Sequence, residues 1–339
     1  MIYTAVIGAG YWGPNWVRNF ISHPKIQLEM VCDIQPERLE KIRQMYPFLN
    51  TTQELRPILD HPKIELVAIC TPVQSHFSLA AQCIRAGKHV LLEKPMTASL
   101  EEAQKLLELA NRHQVHIFVD HTYIFTGAVQ AIKHLLNANE IGDLYYLDSV
   151  RVNLGLFQHD VNVIWDLAPH DVSIFNYLLE TQPEGVAATG AAHLGDGKAD
   201  MAYITLFYPS NLIAHIHVNW LSPVKIRQML VAGSRKMVVW DDNQPSEKVR
   251  VYDKGIEVLH TPDEIYNTLI QYRTGDMYAP KIDTREALAI ETQHLVEVLE
   301  GKTKPLVDGK KGLAVVRILE AAQHSLLQRG KEVPLAPLF

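Results

Sequence analysis

Six residues near the start, Gly8-Ala9-Gly10-Tyr11-Trp12-Gly13, constrain this chain more than any other stretch. An apolar run rich in β-branched side chains, Tyr3-Thr4-Ala5-Val6-Ile7, precedes them. Pro14-Asn15-Trp16-Val17-Arg18-Asn19-Phe20 follows and reads as the start of a helix. Between strand and helix each glycine has a physical purpose. Gly8 permits a tight turn, Gly10 lets backbone approach a pyrophosphate, and Gly13 lets the helix pack closely on the strand. The helix N-terminus then offers free N–H groups and a partial positive charge to phosphate. Tyr11 and Trp12, inside the turn, are expected at the same ligand.

Gln27–Cys32 reads as a second strand that ends in Asp33, twenty residues after Gly13. An acid there can accept a hydrogen bond from a ribose 2′-OH, and it repels a 2′-phosphate. Ile34 follows, with no arginine beside the acid, so NAD is the expected cofactor and NADP is disfavoured. A second role for Asp33 is to cap the helix that begins near Pro36.

Strand and helix keep alternating. Pro36–Met45 is a helix opened by proline, which suits a first turn. Glu65–Cys70 is a mostly apolar run of the kind a strand buried on both faces requires, and Thr71-Pro72 ends it. Ser75–Ala86 is a helix stopped by Gly87, and Lys88–Leu92 is a strand ending in Glu93-Lys94-Pro95. Ser99 with Glu102 forms a capping box, and Val115–Val119 is one more strand. The pattern predicts an α/β fold: an N-terminal Rossmann domain over residues 1–120, with a doubly wound parallel sheet and helices on both faces.

After Asp120-His121 the texture changes. Helices are expected over Thr126–Asn137 and Ile164–Leu179, with a strand over Leu144–Leu154 between them. Hairpins are expected at Pro209-Ser210-Asn211, at Gly233-Ser234 and at Asp253-Lys254-Gly255, the last joining Val249–Tyr252 to Ile256–Leu259. Asp283 with Glu286, and later Asp308, open two closing helices. Residues 121–339 are thus expected to form an α+β domain with a large open, mostly antiparallel sheet.

A chain of 339 residues accommodates these two domains. A net charge of −6 suggests neither a nucleic-acid nor an anionic-membrane partner. The three cysteines, Cys32, Cys70 and Cys83, have no metal-site or CxxC spacing, and free thiols suit a reducing cytoplasm. No run approaches the ~20 apolar residues that span a bilayer, and no leader pattern opens the chain. A cytoplasmic protein is expected.

Few residues are placed for chemistry. Lys94 sits at the carboxyl end of a parallel strand, where ligands of open α/β sheets bind. It could hold a substrate hydroxyl and stabilise negative charge on its oxygen; a solvated surface lysine is the plainer reading. Asp166 and His170 are four apart on one predicted helix and share a face. Histidine is the commonest general base near neutrality, and a carboxylate one turn away orients it. The plainer reading is a helix cap at Asp166 and a satisfied core histidine. His76, after Thr71-Pro72, faces the cofactor side of the sheet, where it either contacts the nicotinamide half or caps its helix. His215 and His217 share a strand face but lack a third ligand nearby, so no metal is expected.

These motifs together resemble the glucose–fructose oxidoreductase/inositol dehydrogenase/MocA family. The resemblance runs through Gly8–Gly13, Cys70-Thr71-Pro72 with His76, Ala86-Gly87-Lys88-His89-Val90, Glu93-Lys94-Pro95, Asp166-Leu-Ala-Pro-His170-Asp171 and Asp308-Gly309-Lys310-Lys311-Gly312-Leu313. Within the family, Gly10–Asn15 and Trp165–Asp171 are most similar to the nucleotide-sugar 3-dehydrogenases, which oxidise the C3 hydroxyl of UDP-N-acetylglucosamine or its uronic acid. One stretch departs from that subgroup. Where members often read His-Thr-Phe-x-Tyr-Asn-Pro, this chain has His121-Thr-Tyr123-Ile-Phe125-Thr126-Gly127.

The resemblance implies a Rossmann domain, a second domain whose open sheet serves assembly, and roles for Lys94, Asp166 and His170. It extends the cofactor site to Thr71, Pro72, His76, Glu93 and Lys94, and the substrate site to His121, Tyr123 and Asn153. In the implied reaction His170 takes the proton of a secondary sugar hydroxyl, Lys94 stabilises the oxygen, and hydride passes to nicotinamide. Two alternatives stand beside it: a dehydrogenase of a free sugar, inositol or non-sugar carbonyl compound, and a silent dinucleotide-binding regulator. A homodimer or homotetramer is expected.

Overall fold

The computed structural model describes residues 1–155, 160–195, 197–258, 270–336 and 338. They form two compact units: residues 1–125 with 285–320, and residues 126–284 with 321–339.

The first unit begins with β1 (Ile2–Ile7), α1 (Gly13–Ser22), β2 (Ile26–Cys32), α2 (Pro36–Met45), β3 (Asn50–Thr52) and α3 (Arg56–Leu59). It continues through β4 (Leu66–Ile69), α4 (His76–Arg85), β5 (His89–Glu93), α5 (Leu100–His113) and β6 (Ile117–Asp120). The strands lie in the order β3-β2-β1-β4-β5-β6, all parallel. Parallel strands covered on both faces cannot afford polar residues, and all four residues of β4 are buried. Trp16, Val17 and Phe20 of α1 are fully buried at helical spacing, and they form the face that meets the sheet.

In the second unit the order is α6 (Gly127–Asn137), β7 (Leu144–Leu154), α7 (Val163–Leu179), β8 (Gly185–Ala191), β9 (Met201–Phe207), β10 (Ile213–Asn219) and β11 (Leu221–Gly233). Then come β12 (Met237–Asp241), β13 (Val249–Tyr252), β14 (Gly255–Val258), β15 (Ile270–Arg273) and β16 (Met277–Tyr278). Helices α8 (Ala287–Leu299) and α9 (Gly309–Leu327) and strand β17 (Val333–Pro334) close the chain. Among the described residues, nine strands make one sheet in the order β16-β13-β12-β11-β7-β10-β9-β8-β17. Only β7 and β10 pair in parallel within it.

Two features differ from the sequence expectation. Residues 285–320 cluster with the first unit rather than the second. The reason is burial: Leu288, Leu295 and Val298 of α8 join Trp16, Val17 and Phe20 in one core. Val119 N–H also donates to Val307 O at 3.0 Å, which ties the chain after α8 to β6. Secondly, β13 and β14 do not form a hairpin. β13 pairs with β12 and β16, and β14 pairs with β15. Leu259, the expected end of that hairpin, lies outside the described residues.

One face of the large sheet is covered, and Ala214, Ile216 and Val218 on it are fully buried. Its other face carries Tyr146, Ile213, Tyr203, His215 and His217, matched across the strands by register. Tyr203 stacks on His217 with ring centroids 4.4 Å apart. Tyr146, Ile213 and Tyr203 are each 40–43% exposed.

Candidate functional site

The glycine turn of the first unit shows why its residues cannot be larger. Gly8 has φ +93°, and a Cβ there would lie 2.7 Å from Cys70 O. A Cβ on Gly13 would fall 1.9 Å from Gly8 O. At Gly10 the space is clear of backbone, and the nearest atom to an added Cβ is Arg38 Nη1 at 3.5 Å. Helix α1 begins here with Trp12 at its N-cap, and no side chain caps its N–H groups. An open backbone beside an uncapped helix start suits a pyrophosphate. Tyr11 is 82% exposed beside it.

Asp33, at the end of β2, is buried. Its Oδ2 accepts the Ala9 N–H at 2.7 Å, and its Oδ1 accepts the Gln35 N–H at 2.8 Å. The carboxylate therefore braces the glycine turn and the turn leading into α2, whose N-cap is Gln35 with no side-chain cap, so Asp33 is not the cap of that helix. Arg38 Nη1 lies 3.4 Å from Asp33 Oδ2. This corrects the expectation that no arginine stands beside the acid. Pro36 starts α2 after a short turn of Asp33, Ile34 and Gln35, and the third helical residue, Arg38, turns its side chain back to the strand end.

His76 is fully buried, with Nε2 2.8 Å from Thr71 O and Nδ1 3.1 Å from Pro95 O. Each ring nitrogen lies within hydrogen-bonding distance of a backbone carbonyl, and the neutral ring donates to one of them, so His76 packs between the loop after β4 and the loop after β5. Burial pushes its pKa below the usual imidazole range. Thr71 Oγ1 is engaged too, by Ser75 Oγ at 2.7 Å, while Pro72 is exposed.

Lys94 follows β5 and begins the cis Lys94–Pro95 bond. Its charge acts on Glu93, His76 and His121. Glu93 stands opposite Asp120 in the register of β5 and β6. Asp120 Oδ2 accepts the indole N–H of Trp12 at 2.7 Å and of Trp16 at 2.8 Å, and Thr122 Oγ1 donates to its Oδ1. His121 is buried, and its ring nitrogens have no hydrogen-bond partner among the described residues. Burial pushes its pKa down to about 4, so it is neutral near pH 7. Tyr123 is half-buried in the turn after it.

In the second unit, α7 carries Asp166 and His170. Asn162 caps this helix, accepting the N–H groups of Ile164 at 3.1 Å and Trp165 at 3.3 Å. Asn162 and not Asp166 is the cap, and Asp166 accepts the Trp220 indole N–H at 3.0 Å. A Cβ on Gly155 would sit 3.0 Å from Trp220 Cδ1 and 3.5 Å from Asn153 Nδ2, so Gly155 leaves room between these two side chains. His170 is half-buried. Its neighbour Asp171 is buried and bonds Arg151 twice, at 2.9 and 3.1 Å, with Ser149 Oγ at 2.7 Å. That ion pair fastens α7 to β7. Sequence reasoning missed Trp16, Asp120 and Trp220, each of which works through a side chain meeting residues far away in sequence, and Arg38, whose guanidinium folds back on Asp33. Among the described residues no three His, Cys, Asp or Glu side chains converge to hold a metal, and no helix is long and apolar enough to cross a membrane.

Comparison with known proteins agrees with this architecture. Residues 2–121 match the model of the GFO/IDH/MocA oxidoreductase family's NAD-binding Rossmann fold, and residues 129–239 match the GFO/IDH/MocA C-terminal domain. The chain is 27% identical to the UDP-N-acetylglucosamine 3-dehydrogenase of Acidithiobacillus ferrooxidans, over 96% of this chain and 98% of that protein. It is 28% identical to the scyllo-inositol 2-dehydrogenase (NAD(+)) of Bacillus subtilis, over 89% and 87%. Among solved structures, GenD2 from gentamicin A biosynthesis, in complex with NAD, superposes with a TM-score of 0.83 over 99% of this chain and 97% of that one; at 20% identity this likeness concerns the fold. The chain is an oxidoreductase of the GFO/IDH/MocA family, with an NAD-binding Rossmann domain at its N-terminal end.

Proposed function

We propose that this protein is a cytoplasmic NAD-dependent dehydrogenase acting on a secondary hydroxyl of a sugar, with C3 of a UDP-N-acetylhexosamine or its uronic acid as the first candidate. The observation that carries the reading is the full-length similarity to a UDP-N-acetylglucosamine 3-dehydrogenase, together with Lys94 at a strand end and Asp166 with His170 on one helix. Nicotinamide, when bound, supplies the hydride acceptor. Gly8, Gly10, Gly13 and the start of α1 would hold its pyrophosphate. His170 takes the hydroxyl proton as general base, and Asp166 lies one turn before it. Lys94 donates a hydrogen bond to the same oxygen and offsets the charge that develops there. In reverse, His170 is the acid and a ketosugar is reduced.

The testing experiment follows NADH absorbance against nucleotide sugars, free sugars and inositols. Turnover of UDP-N-acetylhexosamines is expected. Turnover of inositols alone would move the assignment to the second reading, which the similarity to an inositol dehydrogenase favours.

NAD is proposed as the cofactor because Asp33 is the acid at the ribose position. Arg38 beside it softens the rejection of a 2′-phosphate, so the preference should be smaller than the acid alone implies. Asp33→Ser should weaken NAD about ten- to hundred-fold, the size of one lost hydrogen bond to a charged group. It should narrow the NAD/NADP gap, and Arg38→Ala should widen it. Equal wild-type affinities in a calorimetric titration would end the Asp33 assignment.

Assembly belongs to the same proposal. The half-exposed Tyr146, Tyr203 and Ile213 on the open sheet face would each gain from burial at ~25 cal/mol per Å² of apolar area. A homodimer or homotetramer through that face is expected in sedimentation at micromolar concentration. A monomer there would refute it.

A further inference from the structure

Trp220 follows β10 and takes no part in the reaction proposed above, yet it bonds one of the groups assigned to it. Its indole N–H donates to Asp166 Oδ2 at 3.0 Å. The residue is 3% exposed, so this bond to a carboxylate is made away from competing water. A buried indole needs an acceptor, and many such bonds serve packing alone. Here the acceptor is the carboxylate one turn before the proposed base.

The donor is anchored through its backbone. Trp220 N–H donates to Asp200 O at 2.9 Å, and Trp220 O accepts the Gly155 N–H at 3.3 Å. Asp200 is fixed in turn, because its Oδ2 accepts the N–H groups of His193 at 2.6 Å and Leu194 at 3.1 Å. The residue before it, Ala199, accepts the Val163 N–H at 3.0 Å and so holds the first turn of α7. Residues 199 and 200 therefore hold both partners of the bond, Asp166 through its helix and Trp220 through its backbone. A hydrogen bond from so fixed a donor limits the rotamers open to the Asp166 side chain. We propose that Trp220 is a positioning residue for the reaction, its indole N–H holding the Asp166 carboxylate in one orientation on the helix face that it shares with His170. This rests on the function proposed above, in which Asp166 and His170 act together.

Two substitutions separate the N–H from the ring. Trp220→Phe keeps a six-membered aromatic ring and offers no donor. Trp220→His is smaller, but its five-membered ring places Nε2 at the position of the indole nitrogen, where it can donate. Turnover is followed as NADH formation, with UDP-N-acetylglucosamine as the first probe. The Phe variant should show kcat about ten- to hundred-fold below wild type, the factor carried by one hydrogen bond to a charged group. The His variant should recover most of that loss, although it fills less of the site and should melt lower. Both should bind NAD as wild type does. In an Asp166→Ala background the Phe substitution should cost little more, since the group it positions is gone. Urea unfolding reads the bond without substrate: Trp220→Phe and Asp166→Ala should together cost less than the sum of their separate losses. Wild-type kcat in the Phe variant, a His variant no faster than the Phe variant, the same loss with and without Asp166, or strictly additive unfolding overturns the proposal. Asp166→Ala with undiminished turnover would instead refute the function on which the proposal rests.

Discussion

Lys94→Ala is expected to lower kcat by about two to three orders of magnitude, the size of one lost electrostatic stabiliser of a developing oxyanion. NAD affinity should stay nearly unchanged, because Lys94 is assigned to the reacting oxygen and not to the phosphates. His170→Ala should lower kcat by about 10²–10⁴, as for a lost general base. It should also remove the fall in rate at low pH, since that limb reports protonation of the base. The double variant should cost less than the two losses combined if both side chains serve one oxygen. The measurements are NAD titration and steady-state kinetics on the substrate found by the absorbance screen. Loss of NAD binding in Lys94→Ala, with intact turnover in His170→Ala, would place Lys94 in the cofactor site. His121 would then be examined as the base. Its pKa of about 4 leaves it unprotonated at neutral pH, though weakly basic.

Asp171→Ala should cost about 3–5 kcal/mol of stability, because it removes the buried carboxylate that bonds the Arg151 guanidinium twice. Arg151 and Asp171 are 4% and 1% exposed, so water cannot take over the lost partner. The double replacement Arg151→Met with Asp171→Leu should come much closer to wild type, since desolvating the pair offsets much of its mutual attraction. Urea unfolding followed by circular dichroism measures both. A loss below ~1 kcal/mol in the single variant would mean that the pair is solvated in practice. Because Asp171 follows His170, the single variant should also lower turnover by loosening the helix that carries the base.

Where pattern and packing coincide, the fold was legible in the chain. Helix α2 spans the expected Pro36–Met45, and β7 the expected Leu144–Leu154. Proline at a first turn and an alternating strand are local signals, read within one element. The glycine turn was legible because backbone strain is local too: at φ +93° Gly8 holds a conformation that side chains rarely adopt. What escaped depends on side-chain reach across sequence. Arg38 lies five residues beyond Asp33, and nothing in that spacing says that the guanidinium folds back. The surroundings of His76 were not legible either, because the two carbonyls beside its ring come from separate loops. The assignment of 285–320 failed for a similar reason. An apolar helix face does not name the core it joins.

The chain passes between its two units at residues 125–126, 284–285 and 320–321, the last of these inside α9. No single cut therefore yields either half intact. A fragment ending at Phe125 would carry the glycine turn and all six parallel strands yet lack Leu288, Leu295 and Val298, and would expose Trp16 and Phe20 to water. Such a fragment should aggregate or be degraded during synthesis. A gene recombination that exchanges the cofactor-binding half among relatives must therefore carry α8 and the first turns of α9 with it. Inheritance of the two activities, binding the cofactor and choosing the substrate, is thereby linked along one reading frame.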